Sequence, residues 1–185
     1  MVTNSRRRYS KQQGDLSEKR FIEACEKVGY EVKKSTVKED IFAHIDYWVK
    51  RRDKWYGVDV KGNRHPKTIW VEFKNVRGKE GWLNGEAEFI AFDIAEEGGF
   101  CVVRREELKE WCVINVDSEF VTKDNAYRKL YQRAERQDVL TKIYLTDLQE
   151  LKSFKLLTYA TTQTQQRKRR RFYSSLHGRS KSRVS

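Results

Sequence analysis

The segment 43–62, AHIDYWVKRRDKWYGVDVKG, decides the fold because it has the pattern of two β-strands joined by a basic turn. β-branched and aromatic residues fill both halves, as is typical of strands. Each half also carries an aspartate, Asp46 in the first and Asp59 in the second. The segment therefore predicts a β-hairpin that holds two acids where a folded domain would more comfortably keep apolar side chains.

The length of the turn sets the register of this hairpin. A four-residue loop over 51–54 is one of the commoner lengths, and it makes Lys50 the partner of Trp55. The same register places Asp46 opposite Asp59. Directly opposed Cβ atoms lie about 4.5 to 5.5 Å apart, and residues two apart along a strand share a face. The two carboxylates are therefore predicted to be close enough to share one ion.

Two like charges so placed destabilise a sheet unless something compensates them, and a divalent cation does so. Mg²⁺ prefers one or two carboxylates together with water and phosphate oxygens. Lys61 falls on the same face, opposite His44, where it could position or deprotonate a water or stabilise charge on phosphorus. The predicted chemistry is metal-assisted attack of water on a phosphodiester. His44 itself is interpreted as structural.

These residues resemble the PD-(D/E)XK nuclease superfamily, which includes restriction endonucleases and archaeal Holliday-junction resolvases. The resemblance covers residues 14–115 and rests on Asp46, on the D-x-K of 59–61, and on Glu18 in a preceding helix. It implies an α/β protein with a restriction-endonuclease-like core, a central mixed β-sheet flanked by α-helices. It also implies catalytic roles for Asp46, Asp59, Lys61 and Glu18, and Mg²⁺, or alternatively Mn²⁺, as the cofactor. Isoleucine replaces the family's proline before Asp46.

A second acid-x-lysine motif, Glu72-Phe73-Lys74, lies on the next predicted strand, TIWVEFKN. If the Asp59 strand lies between them, Asp46 and Glu72 are two strand spacings apart, roughly 9.6 Å, which is long for one metal. We therefore assign the metal to Asp46 and Asp59 and keep Glu72 as a supporting ligand. Whether this motif replaces Asp59-Val60-Lys61 stays open, as does the face on which Glu72 lies.

Basic residues in two further segments are candidates for contact with nucleic acid. One group follows the third strand beside a glycine-rich turn, and the other gives a basic face to the predicted amphipathic helix DNAYRKLYQRAE. The first group is Lys74, Asn75, Arg77 and Lys79, and the second includes Arg133 and Arg136. Trp82 is interpreted as a core or loop anchor rather than a stacking residue.

The net charge of +12 is concentrated at the two ends of the 185-residue chain. Residues 1–14 hold four basic residues and 167–185 hold eight, with no acid in either, so the body is formally neutral. We predict a basic N-terminal arm (1–14), one nuclease-like domain (15–160) and a basic C-terminal tail (161–185). The tails, disordered when alone, would contact phosphate regardless of sequence. The densest basic run is Arg167, Lys168, Arg169, Arg170 and Arg171.

The remaining elements alternate along the chain and indicate an α/β layer structure. A helix is predicted from an N-cap at Asp15 or Ser17 to Gly29, followed by the short strand YEVKKS. Strands are also predicted at EAEFIAFDIA and FCVVRR, then a helical turn at EELKEWC. VLTKIYLTDLQELKSF is predicted to be a strand that leads into a short helix.

Composition excludes several classes of protein. No run of about 18 apolar residues occurs and the N-terminus lacks an apolar signal sequence, so we expect an intracellular protein without a membrane partner. Three cysteines without metal spacing indicate reduced, structural thiols. The sequence predicts a Mg²⁺-dependent endonuclease acting on DNA rather than RNA, with a homodimer left open. The alternatives are an inactive nuclease-like binding protein and an RNA-binding accessory protein.

Overall fold

Two β-sheets and two α-helices account for most of this computed structural model, which describes residues 4–62, 65, 67–95 and 98–159. The helices are α1 (Asn4–Lys27) and α2 (Arg105–Asn115). The strands are β1 (Glu31–Lys34), β2 (Tyr47–Arg51), β3 (Lys54–Gly62), β4 (Thr68–Lys74), β5 (Phe89–Ile94), β6 (Gly99–Arg104), β7 (Asp117–Phe120), β8 (Lys129–Tyr131), β9 (Val139–Tyr144) and β10 (Lys155–Thr158). The C-terminal tail lies outside the described residues.

The first sheet has the strand order β1-β2-β3-β5-β6-β10 within the described residues. Its neighbours are antiparallel except for β3 and β5, which run parallel. The second sheet has the order β4-β9-β8-β7. The prediction of an α/β protein with a mixed sheet is therefore confirmed.

Helix α1 covers one face of the first sheet. Its stripe of Phe21, Ala24 and Cys25 is buried against β2 and β3, where alternate residues such as Val49 and Val58 point towards the helix. Burying an apolar stripe of this kind is what stabilises a helix in a folded domain. The helix ends where Gly29 adopts a left-handed φ of 79°, which glycine tolerates without strain.

The other face of the first sheet packs on the second sheet and on α2. Ile90 and Phe92 of β5 belong to one core with Val71 of β4, Ile143 of β9 and Leu108 of α2. Residues on β5 thus alternate between the two cores, because successive side chains of a strand point to opposite faces. The described chain forms three layers, which are α1, the first sheet, and the second sheet together with α2. The two aspartates of the hairpin lie on the side of the first sheet that faces the second sheet.

The predicted register of the β2–β3 hairpin is confirmed, since Lys50 lies opposite Trp55. The turn is shorter than predicted, however, because Arg51 also pairs with Lys54. Only two residues remain in the turn, and Arg52 adopts a left-handed φ of 57°. A positive φ in a two-residue turn matches the twist of the strands that it joins.

Strand β4 does not pair with β3, which corrects the expected three-stranded arrangement. It pairs antiparallel with β9 in the second sheet, where Glu72 lies opposite Leu140. The edge of β3 is taken instead by β5, with Asp59 opposite Ile90. Such long-range pairings leave no signal in the local sequence. The length of the loop between β3 and β4 therefore could not show on which face of the sheet Glu72 lies.

The prediction of an amphipathic helix at DNAYRKLYQRAE is also wrong. That stretch contains a short 3₁₀ turn, strand β8 and further turns. Arg128 and Glu135 have positive φ values of 53° and 59°, which end any right-handed helix. Pairing of Leu130 with Thr141 on β9 overrides the helical periodicity of the sequence.

Helix α1 begins earlier than the predicted caps at Asp15 and Ser17. Ser17 does not cap a helix, because its Oγ donates a hydrogen bond of 2.7 Å to Asp93 on β5. The chain from Asn4 to Gly14 continues the same helix. The remaining strand predictions, the α2 turn and the short helix after β9 are confirmed in position.

Candidate active site

Asp46 and Asp59 come together at the end of the β2–β3 hairpin. The Asp46 backbone N–H donates to the Val58 carbonyl at 2.9 Å, although Val58 is already the ladder partner of Tyr47, so the backbone register of the hairpin shifts by one residue at Asp46. Asp46 Oδ2 in turn accepts a hydrogen bond of 2.7 Å from the Val60 N–H. The carboxylate of Asp46 thus replaces a backbone acceptor at a point where β2 has not yet begun, and this contact fixes the side chain beside β3.

Asp59 is the more deeply buried acid, with only 1% of its surface exposed. Its Oδ1 forms an ion pair of 2.7 Å with Lys61 Nζ. Its Oδ2 is buried and has no hydrogen-bond partner among the described residues. A buried oxygen left without a partner costs about 1 to 3 kcal/mol, so this atom marks a place where a positively charged or hydrogen-bonding ligand would stabilise the protein.

The two carboxyl groups shift each other's proton affinity. Burial, and then the negative charge of Asp59, raise the pKa of Asp46 from 3.8 to about 6. Burial also raises the pKa of Asp59, although the neighbouring Lys61 opposes the shift. Without a bound cation, the pair therefore holds a proton more tightly than ordinary carboxylates do.

Two further ionisable residues lie beside the pair, and the first of them was not identified from the sequence. Asp40 belongs to a π-helical turn (Glu39–Ala43), and its pKa is raised by burial and by the charge of Asp46. His44 follows with a left-handed φ of 54°, and burial and the charge of Lys61 lower its pKa. A neutral imidazole beside a lysine agrees with the structural role predicted for His44.

The predicted helix acid, Glu18, is engaged elsewhere. Its Oε2 accepts hydrogen bonds of 2.6 Å from Lys34 Nζ and 2.8 Å from the Tyr47 hydroxyl. Tyr47 packs towards α1, on the face of the sheet opposite to Asp59. The negative charge of Glu18 also contributes to the raised pKa of Asp40.

Glu72 approaches the site from the second sheet. It lines a cleft of about 550 Å³ together with Lys61, and the charge of Lys61 counteracts the rise that burial causes in the pKa of Glu72. Lys74, the lysine of the second motif, is exposed, and its backbone forms an isolated β-bridge with Glu80. The structure therefore brings both acid motifs to the same lysine, Lys61, rather than to Lys74.

The rest of this cleft is aromatic and basic. Its walls include Trp70 of β4, Tyr131 of β8, Lys123 and Arg133. Arg133 is anchored by an ion pair with the fully buried Asp138, which also accepts a hydrogen bond of 3.2 Å from the Arg133 backbone N–H. Of these residues the sequence predicted a nucleic-acid contact only for Arg133, because the pairing of β4, β9 and β8 creates the cleft.

The other residues predicted to contact nucleic acid differ in their surroundings. Asn75 organises its own turn, since its Oδ1 accepts from the N–H groups of Arg77 at 2.9 Å and Lys79 at 3.3 Å. Lys74, Arg77, Lys79 and Arg136 are exposed. The run from Arg167 to Arg171 lies outside the described residues. Trp82 is buried and packs edge-on against Phe92, as expected for a core anchor.

The three cysteines contribute no reactive group. All are buried and free, and burial raises the pKa of Cys25 and of Cys112 to about 12. The part of the chain that the structure describes contains no group of three or more His, Cys, Asp or Glu side chains arranged as a metal cage. Within the same residues, no helix combines the length and the apolar character needed to cross a membrane.

Comparison with protein-family models, with curated proteins and with solved structures gave no significant match.

Proposed function

We propose that this protein is a metal-dependent endonuclease that hydrolyses phosphodiester bonds in DNA. One observation carries the proposal. The buried Asp46–Asp59 pair has an unpartnered oxygen, Asp59 Oδ2, and stands directly beside Lys61 at the end of a basic cleft. Buried acids with perturbed pKa values that share a site with a lysine are typical of catalytic centres rather than of structural sheets.

The residues present fit a divalent cation. Asp46 and Asp59 supply carboxylate oxygens. The Oδ2 atom of Asp59 has no hydrogen-bond partner among the described residues, so it is available as a metal ligand. Two carboxylates completed by water and a phosphate oxygen form a site of the kind that Mg²⁺ or Mn²⁺ prefers. When bound, the ion would activate a water molecule and stabilise charge on the phosphoryl oxygens.

Among the side chains of the protein, Lys61 has the most direct role in the proposed hydrolysis. Asp59 Oδ1 holds its ammonium group at 2.7 Å, with the amine also lying 5.5 Å from the centre of the Trp82 ring. A lysine fixed in this way can donate a hydrogen bond to a phosphate oxygen and stabilise the negative charge that grows during attack. Glu72 supports the site by its charge beside Lys61.

The order of elements supports a restriction-endonuclease-like core. Helix α1 precedes β1, Asp46 precedes β2, and the D-x-K motif lies on β3 after a tight turn. This is the order that the resemblance to PD-(D/E)XK nucleases implies. The excess of basic residues favours a nucleic-acid substrate. Three free thiols fit a reducing compartment, so we propose that the protein acts inside the cell.

The proposal is tested by incubating the full chain with supercoiled, linear, branched and single-stranded DNA and with RNA, in Mg²⁺, Mn²⁺ or EDTA. Asp59→Asn and Lys61→Ala should each lower the rate of cleavage at least 100-fold. Asp53→Asn and Lys54→Ala, at and beside the exposed turn of the same hairpin, are matched controls and should retain activity. Cleavage that is unaffected by both site substitutions would contradict the assignment.

A second candidate is a nuclease-like protein that binds nucleic acid without cutting it. The Lys61–Asp59 ion pair favours this candidate, because it neutralises part of the buried charge without a metal. Binding of DNA without cleavage in either metal, together with no uptake of Mn²⁺ by the wild-type chain, would support it over the endonuclease.

A further inference from the structure

The cleft beside Lys61 contains an exposed aromatic surface. Ile69 and Val71 of β4 point into the core, so Trp70 and Glu72 lie on the opposite face of that strand. Across the sheet, Tyr131 of β8 lies opposite Leu140 of β9. The rings of Trp70 and Tyr131 have centroids 5.7 Å apart and planes inclined by 49°. We refer to Trp70, Tyr131 and Leu140 as the aromatic platform.

The surroundings of the platform are unusual for a packing contact. Trp70 and Tyr131 are both partly exposed inside the cleft, although large rings of this kind are usually covered by the core. Three cationic side chains, Lys61, Lys123 and Arg133, line the same cleft. Aromatic faces flanked by cations are the combination that binds single-stranded nucleic acid, with bases stacked on rings and phosphates on the charges.

We propose that the cleft binds an unpaired nucleotide of single-stranded DNA, with its base stacked on the aromatic platform. This inference rests on the proposed function, because it names the substrate class of the same site. A cleft of about 550 Å³ is in the size range of pockets that bind small ligands, roughly 300 to 1,000 Å³. A base can reach rings inside such a cleft only after it leaves its own stack.

The position of Lys61 connects this subsite to the aspartate pair. Its side chain lines the cleft and also holds Asp59 at 2.7 Å. A strand whose base lies on the platform therefore presents a neighbouring phosphate towards Asp46 and Asp59. The preferred substrate is accordingly a single strand, or a duplex with unpaired nucleotides, rather than a continuous duplex.

The test measures binding by fluorescence anisotropy in EDTA, where no cleavage interferes. The probes are a labelled oligothymidylate, an oligouridylate of equal length, a fully paired blunt-ended DNA duplex, and that duplex with an internal unpaired loop. Trp70→Ala and Tyr131→Ala should weaken binding of oligothymidylate between about fivefold and 150-fold. Tyr131→Phe, which keeps the ring, should bind like the wild type.

Tyr144→Ala is the matched control. Tyr144 forms another aromatic pair of the same sheet, with Tyr127 at 4.4 Å, but it does not line the cleft. Each comparison is repeated at rising salt concentration, because contacts of the basic tails with phosphate weaken as salt rises. A difference in affinity between variant and wild type that is caused by stacking should persist. Circular dichroism verifies that Trp70→Ala and Tyr131→Ala are folded. If they are not, Trp70→Leu and Tyr131→Leu, which remove the rings but keep apolar side chains, replace them and should weaken binding in the same way.

The outcomes separate this inference from the proposed nuclease. Tight binding of oligothymidylate and of the duplex with the internal loop, lost in Trp70→Ala, supports the subsite even if no substrate is cleaved. Equal affinity for the fully paired duplex and the oligothymidylate, or wild-type binding by both alanine variants, overturns the subsite while leaving duplex cleavage as a separate result. Tighter binding of the oligouridylate overturns the assignment to DNA.

Discussion

Lys61 Nζ lies 2.7 Å from Asp59 Oδ1, and this ion pair joins a fully buried carboxylate to a side chain that lines the cleft. The lysine cannot compensate the whole site, because Asp46 places a second carboxyl group beside the same aspartate. The site therefore has an excess of negative charge when no cation is bound. That excess makes the stability of the protein and its affinity for metal depend on the charge of Asp46.

Asp46→Asn should stabilise the metal-free protein by about 1 to 2 kcal/mol at pH 7.5, because it removes a like charge beside Asp59. The asparagine oxygen can still accept the hydrogen bond of the Val60 N–H. The folded-state pKa of Asp46, about 6, lies above its ordinary 3.8, so the wild type loses stability as pH rises through this window. The advantage of the variant should grow between pH 4 and pH 6.5. Urea unfolding in EDTA measures it.

Asp53→Asn, in the exposed turn, is the control for that experiment and should change the free energy of unfolding by less than about 0.5 kcal/mol. A variant Asp46→Asn that is less stable than the wild type at pH 7.5 would show that the two carboxyl groups do not repel each other in the folded protein.

Affinity for Mg²⁺ or Mn²⁺ should rise with pH and level off above about pH 7. Burial and the charge of Asp59 raise the pKa of Asp46 to about 6, and the cation must displace the proton that Asp46 holds below that pH, so binding is weak there and releases protons near it. Calorimetric titration in two buffers of different ionisation enthalpy measures both effects. Asp59→Asn should abolish binding, whereas Glu31→Gln, an exposed acid on β1, should not. Equal affinities at pH 5 and pH 7.5 would contradict the site.

Arg133→Met should destabilise the protein by about 3 kcal/mol, because it leaves the fully buried carboxylate of Asp138 without its ionic partner. Arg136→Met is the matched control. Arg136 is exposed, and its loss should cost less than about 0.5 kcal/mol. Thermal or urea unfolding compares the two variants. Equal effects would indicate that the charge of Arg133 is only a surface charge.

Gly81→Ala should destabilise the protein and disturb Glu72, because a Cβ atom at position 81 would lie 2.4 Å from the Glu72 carbonyl oxygen. Backbone must move to relieve such a contact, and we expect a cost of about 2 kcal/mol or more. Gly14→Ala is the opposite case, since nothing lies within 4 Å of its Cβ position in α1. It should stabilise the helix by about 0.5 to 1 kcal/mol. Unfolding curves of both variants test the pair.

Local sequence patterns predicted the structure correctly where neighbours in the chain are also neighbours in space. The hairpin of β2 and β3 is one example, because alternation and a short turn fix its register from Tyr47 to the turn, and Asp46 lies beside Asp59 as predicted, although the backbone register shifts there. The buried stripe of α1 is another, since helical spacing alone identifies Phe21, Ala24 and Cys25. The helix predicted at DNAYRKLYQRAE does not form, because the pairing of β8 with β9 outweighs the helical periodicity of the segment.

Strand alternation and a short turn predict the acid pair and the lysine beside it, and composition alone shows the positive charge at the two ends. The residues that surround the pair depend on the tertiary fold. Glu72 lies in the second sheet and near Lys61, Glu18 binds Lys34 and Tyr47, and Trp70 and Tyr131 line one cleft. Alternation and turn length act over a few residues, whereas the pairing of β3 with β5 and of β4 with β9 depends on burying apolar faces contributed by the whole chain.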